Sequence, residues 1–231
     1  QYRQVHYVER KPHAMRESVG RIIETLRSVR KQKKIFLFLI AFFFFIDGVY
    51  TIIDMATAYG SALGLDSTGL LLALLVTQFV AFPFSILFGR LAEKYDTGKL
   101  ILTCIAAYTG ITVFAVFMKA QWQFWVLAIF VGMFQGGIQA LSRSYFAKIV
   151  PPERSGEYFG LMDICGKGAS FMGTTVVGLA SQAFGSINIG VSAIVFLFLA
   201  GVLFFMKTEH SGSESTKNQE NVIMEQQMFH D

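Results

Sequence analysis

Residues 35–58, IFLFLIAFFFFIDGVYTIIDMATA, decide the fold. The run exceeds twenty residues and carries only two charged groups, Asp47 and Asp54. About 20 consecutive apolar residues cross a bilayer as a helix. Five further runs of similar length follow, at about 69–90, 99–118, 122–142, 158–182 and 187–206, separated by short polar gaps. Over the 231 residues, 53% are hydrophobic, 24 are Phe and only 16% are charged, against roughly 25% charged in a soluble domain. A water-soluble globule is excluded on these grounds. The expected class is an all-α membrane protein with six transmembrane helices.

Cysteine and histidine usage narrows the chemistry. The two cysteines, Cys104 and Cys165, lie inside apolar runs without metal-type spacing, so neither a disulfide framework nor a zinc site is expected. His6, His13, His210 and His230 all sit in the polar ends. No metal and no cofactor is expected.

A net charge of +4 suggests nucleic acid until its placement is examined: ten of the twenty Lys and Arg residues fall in the first 34 positions, as a cytoplasmic juxtamembrane segment requires. The expected partners are therefore the lipid bilayer and a small-molecule solute, with no nucleic acid. Within 14–34, Val19, Ile22, Ile23, Leu26 and Val29 recur every three or four residues, which predicts a basic amphipathic helix. It either lies along the membrane or the protein's inner face, or is a solvated linker. Residues 207–231, rich in Ser, Glu, Gln and Asn, are expected to be a disordered tail. The organisation expected is thus a linker over 1–34, a bundle over 35–206 and a tail over 207–231. Position 1 is Gln and the opening is hydrophilic, so the chain reads as a segment of a longer protein.

Basic residues also predict topology. The segment before the first span holds ten, the gap between spans two and three holds Arg90, Lys94 and Lys99, the gap between four and five holds Arg143, Lys148 and Arg154, and the tail holds Lys207 and Lys217. The opposite gaps hold only Lys119, and Lys167 lies within a span. The positive-inside rule then places both termini in the cytoplasm.

Charges inside spans cost roughly 2.5 to 3.5 kcal/mol each at mid-helix, so each needs a partner, water or a role. Asp47 and Asp54 are two turns apart on one face of the first span, with Asp47 near mid-bilayer. Asp163 and Lys167 are one turn apart in the fifth span. Two readings stand: they neutralise each other, or Lys167 faces a central cavity and meets Asp47 or a solute carboxylate. A carboxylate such as Asp47, so placed, can carry a coupling proton. Gln78, Gln135 and Gln139 add polarity at depth. Gly132 and Gly136, and Gly156 and Gly160, are spaced for close helix approach, and Pro83 is expected to kink the second span.

The inner segment from Gly89 to Lys99, GRLAEKYDTGK, interleaves acids with bases. Glu93 and Asp96 share a layer with Arg143 and Arg154, so ion pairs between the inner loops are expected to form a cytoplasmic gate that includes Gly89, Arg90 and Lys94. This segment resembles the loop signature of the major facilitator superfamily, Gly-x-x-x-Asp-Arg-x-Gly-Arg. Glu93 stands where that signature has Asp, Asp96 where it has its second Gly, and Gly98 follows two positions late.

A nearer resemblance is to the autophagy-type vacuolar amino-acid effluxer family and its bacterial relatives within that superfamily. It rests on FFIDGVYTI at 44–52, QGGIQALSRS at 135–144 and PPERSGEYFGL at 151–161, and covers about 30–206. The resemblance implies the C-terminal six-helix half of a secondary active carrier that works by alternating access, its N-terminal half being a further partner. In eukaryotic members the implied solutes are amino acids leaving the vacuole, whereas bacterial relatives generally have no assigned substrate. The implied location is a bacterial plasma membrane. Two other classes stay open: an intramembrane enzyme, for which the spans hold no histidine, Gly-x-Ser-Gly or His-Glu-x-x-His, and a non-transporting scaffold or receptor.

Overall fold

A computed structural model describes the backbone of residues 14–228 and the side chains of residue 20 and of 23–211. His6, His13, His230 and the side chains of Val19 and Ile22 lie outside the described residues. The described chain is helical throughout: α1 Ala14–Lys31, α2 Lys33–Ala62, α3 Ser67–Lys94, α4 Thr97–Val116, α5 Gln121–Ile149, a short 3-10 turn Pro152–Arg154, α6 Ser155–Phe184 and α7 Ile187–Met228.

The helix ends follow local chemistry. Asp66 and Asp96 cap α3 and α4, their carboxylates accepting from the backbone N–H of Gly69 at 2.7 Å and of Lys99 at 2.9 Å. The Gln123 side chain folds back to accept from the N–H groups of Lys119 and Ala120 and so starts α5. Pro151 and Pro152 break the chain between α5 and α6. Gly185 ends α6 in the left-handed region, at φ 65°, which a residue with a Cβ rarely adopts.

Five of the six bundle helices are long and apolar enough to cross a membrane: α2, α3, α4, α5 and α7 through Ser211. The sixth, α6, has the length but falls short of that apolarity, because Asp163, Lys167 and a run of Gly, Ser and Thr dilute it. It is held in the bundle by packing against α2 and α7. The backbone of α7 continues helical into the residues expected as a tail, as far as Met228. Glu, Gln, Lys and Met are good helix formers, no proline interrupts them, and a helix can propagate from an anchored span without burying a core of its own.

Packing sets the layout. α3 lies mainly on α5, α2 on α7 and α6, and α4 bridges α5 and α7, whereas α3 and α6 make no substantial contact with each other. The bundle is therefore open on the side between α3 and α6. Small residues make the closest contacts. A Cβ at Gly132 would come within 2.7 Å of the Thr77 carbonyl oxygen, and one at Gly136 within 2.8 Å of that of Ala81, so the α3 and α5 backbones approach closely as expected. Gly156 and Gly160 face open space and mark no such approach, nor does Gly89. Pro83 lies inside α3 without ending it.

An aromatic cluster fastens the end of the bundle where α2 begins. Phe38 lies 5.1 Å from Tyr145 and 5.4 Å from Phe146, and Tyr145 lies 5.4 Å from Phe205, joining α2, α5 and α7. At the other end the Tyr59 hydroxyl donates to the Ala115 carbonyl at 2.6 Å, with Asn188 Oδ1 3.0 Å away, tying α2 to α4 and α7. Tyr59→Phe is expected to cost about 1–3 kcal/mol by stranding buried acceptors. Thermal unfolding in detergent reads this as a drop of several degrees, against no change for Tyr95→Phe at an exposed position.

The amphipathic helix lies against the bundle. Val29 is buried, Thr25 Oγ1 donates to Glu157 Oε2 at 3.1 Å, and Gln32 Nε2 donates to the Tyr158 hydroxyl at 2.8 Å. Ile23 and Leu26, expected on the same buried face, remain exposed.

Candidate functional site

A polar cavity of about 110 Å³ opens where α2, α5 and α6 meet. Tyr50 contributes from α2, Gln139 and Arg143 from α5, and Asp163 and Lys167 from α6. Lys167 lies 12 positions into α6, or about 18 Å along its axis at the helical rise.

Its ion pairing differs from the mutual neutralisation of Asp163 and Lys167, while Lys167 does line a cavity. Asp163 pairs with Arg143, Nη2 to Oδ1 at 2.9 Å, and not with Lys167 one turn along its own helix. The guanidinium reaches across from α5 with a fixed donor fork, a better match to a carboxylate than an ammonium on the same helix face. Both partners are about half exposed, 58% and 50% of their side-chain surface. Among the described residues Lys167 has no ion pair, and it shares the cavity with the Arg143–Asp163 pair. The cavity thus carries one surplus positive charge.

Asp47 is elsewhere. It is fully buried between α2 and α6, where Oδ1 accepts from the Gly173 N–H at 2.8 Å and from Thr51 Oγ1 at 3.4 Å, while Oδ2 has no partner. The proposed meeting of Asp47 with Lys167 does not occur. Asp54, two turns on, is exposed and accepts from Ser170 Oγ at 2.7 Å. The two aspartates share a face, as their spacing predicts, and that face is zipped to α6 through Gly173 and Ser170. The glutamines separate: Gln139 lines the cavity, Gln135 Oε1 is buried without a partner, and Gln78 is exposed on α3.

The expected gate pairs are not formed. Asp96 is committed to capping α4, Arg154 binds Glu157 three residues along at 2.8 Å, and Arg143 is engaged by Asp163. Arg90, Glu93 and Lys94 stand exposed at the end of α3. The contacts that do tie this end together were missed. Lys148 Nζ donates to Thr97 Oγ1 at 2.8 Å, and the Tyr145 hydroxyl donates to the Glu209 carboxylate across to α7. Glu209 lies in what reads as tail, so no pattern within the spans signals it. Tyr50, Thr51, Ser170 and Gly173 were also missed. The one available signal was the i, i+4 spacing of Asp47 and Thr51.

Long helices, five of them apolar enough to span, packed around a charged cavity, define an all-α, multi-pass integral membrane protein. Residues 2–217 match the family described as "Vacuole effluxer Atg22 like", and the chain belongs to that family. It is 42% identical over 218 residues to "Uncharacterized MFS-type transporter YxiO" of Bacillus subtilis, a match covering 94% of this chain and 51% of that protein. It is 27% identical over 201 residues to "Autophagy-related protein 22-2" of Aspergillus clavatus, covering 79% and 32%. With "Autophagy-related protein 22" of Saccharomyces cerevisiae it shares 29% over 178 residues, covering 70% and 33%. The chain spans about half the length of the bacterial relative and about a third of the fungal ones. The family's description and the bacterial relative's name point to membrane transport and not to an enzyme.

Proposed function

We propose that the chain is one six-helix half of a secondary transporter, that its termini are cytoplasmic, and that the α2–α5–α6 cavity lies on the solute path. The observation that carries this is the half-exposed Arg143–Asp163 pair beside Lys167, in a cavity that this reading places at bilayer depth. Facing lipid, such groups would each cost several kcal/mol, and facing a watery path they would not. A second half, seated on the open side between α3 and α6, would enclose that path and rock against this half in alternating access. Exposed Arg90, Glu93 and Lys94 would then meet the second half as the inner gate, beside Gly89.

Solute chemistry follows from the surplus charge. Lys167 is placed to hold a carboxylate, with Gln139 and Tyr50 as neutral hydrogen-bonding groups, which suits a small carboxylate-bearing solute and, on the family resemblance, amino acids. Asp47 is the coupling carboxylate in this reading, and transport is efflux.

The test is flux in proteoliposomes holding the complete two-half protein. Lys167→Gln is expected to raise KM for amino-acid carboxylates about tenfold, the equivalent of ~1.4 kcal/mol, while Lys167→Arg keeps most of the affinity. Equal KM in wild type and Lys167→Gln would remove the carboxylate anchor. Absence of flux of any amino or organic acid in the wild type would remove the transport reading.

A further inference from the structure

A second, apolar cavity of about 340 Å³ lies where α1 meets α2 and α6. Leu26 of α1, Phe36, Phe43 and Phe44 of α2 and Leu161 of α6 contribute its walls, and Arg30 is the one charged residue lining it. Leu26 and Phe36 are 44% and 36% exposed, so the groove opens outward and is not sealed by the fold.

Its dimensions and its charge both match a lipid. α2 begins at Lys33, so Phe44 lies about 16 Å along the helix axis from the end at which α1 is attached. That is about half of a 30 Å hydrocarbon core, the reach of one leaflet. The apolar walls therefore run through the acyl layer, and Arg30 stands at the headgroup level. Arg27, one turn before Arg30 on α1, is also exposed, and no acidic residue occurs between Arg27 and Lys34. Neither arginine has an ion pair among the described residues. Lys34 is turned instead towards the Tyr145 ring, 6.0 Å from its centre.

We propose that this groove holds an acyl chain of an anionic phospholipid, with Arg30 and Arg27 binding its headgroup phosphate. Guanidinium groups match phosphate through paired N–H donors, and basic residues beside a membrane span favour anionic lipid. The bound lipid would wedge α1 against the bundle, adding to the Thr25–Glu157 and Gln32–Tyr158 hydrogen bonds that already hold it.

The experiment is native mass spectrometry of the full 231-residue chain from micelles doped with equal amounts of phosphatidylglycerol and phosphatidylcholine. Wild type is expected to retain phosphatidylglycerol at least fivefold over phosphatidylcholine. The double variant Arg27→Gln/Arg30→Gln should lose that preference, Arg27→Lys/Arg30→Lys should retain a part of it, and Lys99→Gln/Lys207→Gln, which removes the same charge elsewhere, should retain it. Leu26→Trp, which fills the groove, should lower retention of phosphatidylglycerol without lowering the melting temperature. Equal retention of the two lipids by wild type, meaning an unselective apolar surface, would overturn the proposal. So would a preference unchanged in Arg27→Gln/Arg30→Gln.

Discussion

Gly173→Ala is expected to destabilise the bundle by about 3–5 kcal/mol, an unusually large loss for adding one methyl group. A Cβ at this position would collide with Thr51 Oγ1 and Asp47 Oδ1, the polar atoms that α2 presents to α6. Overpacking alone costs ~1–3 kcal/mol. Separating the helices also stretches the Gly173 N–H bond to Asp47 Oδ1, and leaving buried hydrogen-bonding groups unsatisfied adds ~1–3 kcal/mol. Gly178, five positions along the same helix, has no atom near its would-be Cβ. Gly178→Ala is therefore expected to be neutral or to stabilise by up to ~1 kcal/mol through helix propensity. Thermal unfolding of both variants in the same detergent separates contact from propensity. Similar melting temperatures for the two would show that α2 and α6 are not in close contact at Gly173. Thr51→Ala combined with Gly173→Ala should recover part of the loss, since it removes the first atom struck.

The helices were legible in the sequence and the pairings were not. Run length and hydropathy placed α2 to α5 and the membrane portion of α7 because a span must satisfy its backbone internally, a constraint each segment obeys alone. For α6 the same signal is weak, since its Gly, Ser, Thr and charged residues serve contacts with α2. The charge pattern located Arg143, Asp163, Lys167 and Asp47 as residues that need an explanation, but not their partners. Spacing along a helix offers Asp163 only Lys167 as a base, while the base it meets, Arg143, comes from a helix twenty positions away. Likewise Asp47 and Lys167 look like natural counter-ions in one dimension, yet they face different surfaces of α6. Low apolarity beyond Lys207 argues against a packed core, but not against helix propagation from an anchored span.

The division of labour between the two acidic sites follows from solvent access. Asp163 shares a half-exposed cavity with two bases and is neutralised in place by Arg143; on the proposed reading it would exchange partners when a charged solute arrives. Asp47 has no base within reach among the described residues and no exposed surface. A buried carboxylate without a counter-ion is rarely retained for stability, because an uncompensated charge in an apolar interior costs more than its hydrogen bonds return. Its Oδ2 has no hydrogen-bond partner, and on the proposed transport reading that is the atom that would take up and release a proton.

Asp47→Asn separates that role from packing. The amide keeps Oδ1 as acceptor for Gly173 and Thr51, fills the same volume and carries no charge. Stability is therefore expected to stay within about 1 kcal/mol of wild type or to rise. Flux through the complete two-half transporter should fall about a hundredfold or more and lose its dependence on a pH gradient, because the position can no longer change protonation. Asp47→Ala removes the acceptor as well, and strands the Gly173 N–H at a cost of ~1–3 kcal/mol. Its melting temperature should fall where that of Asp47→Asn does not. Proteoliposome flux with and without an imposed pH gradient, paired with thermal unfolding of each variant, reads both effects. Undiminished, pH-dependent flux in Asp47→Asn would leave the carboxylate with a purely structural role between α2 and α6, and would move the coupling site to the exposed pair of Asp54 and Ser170 two turns away.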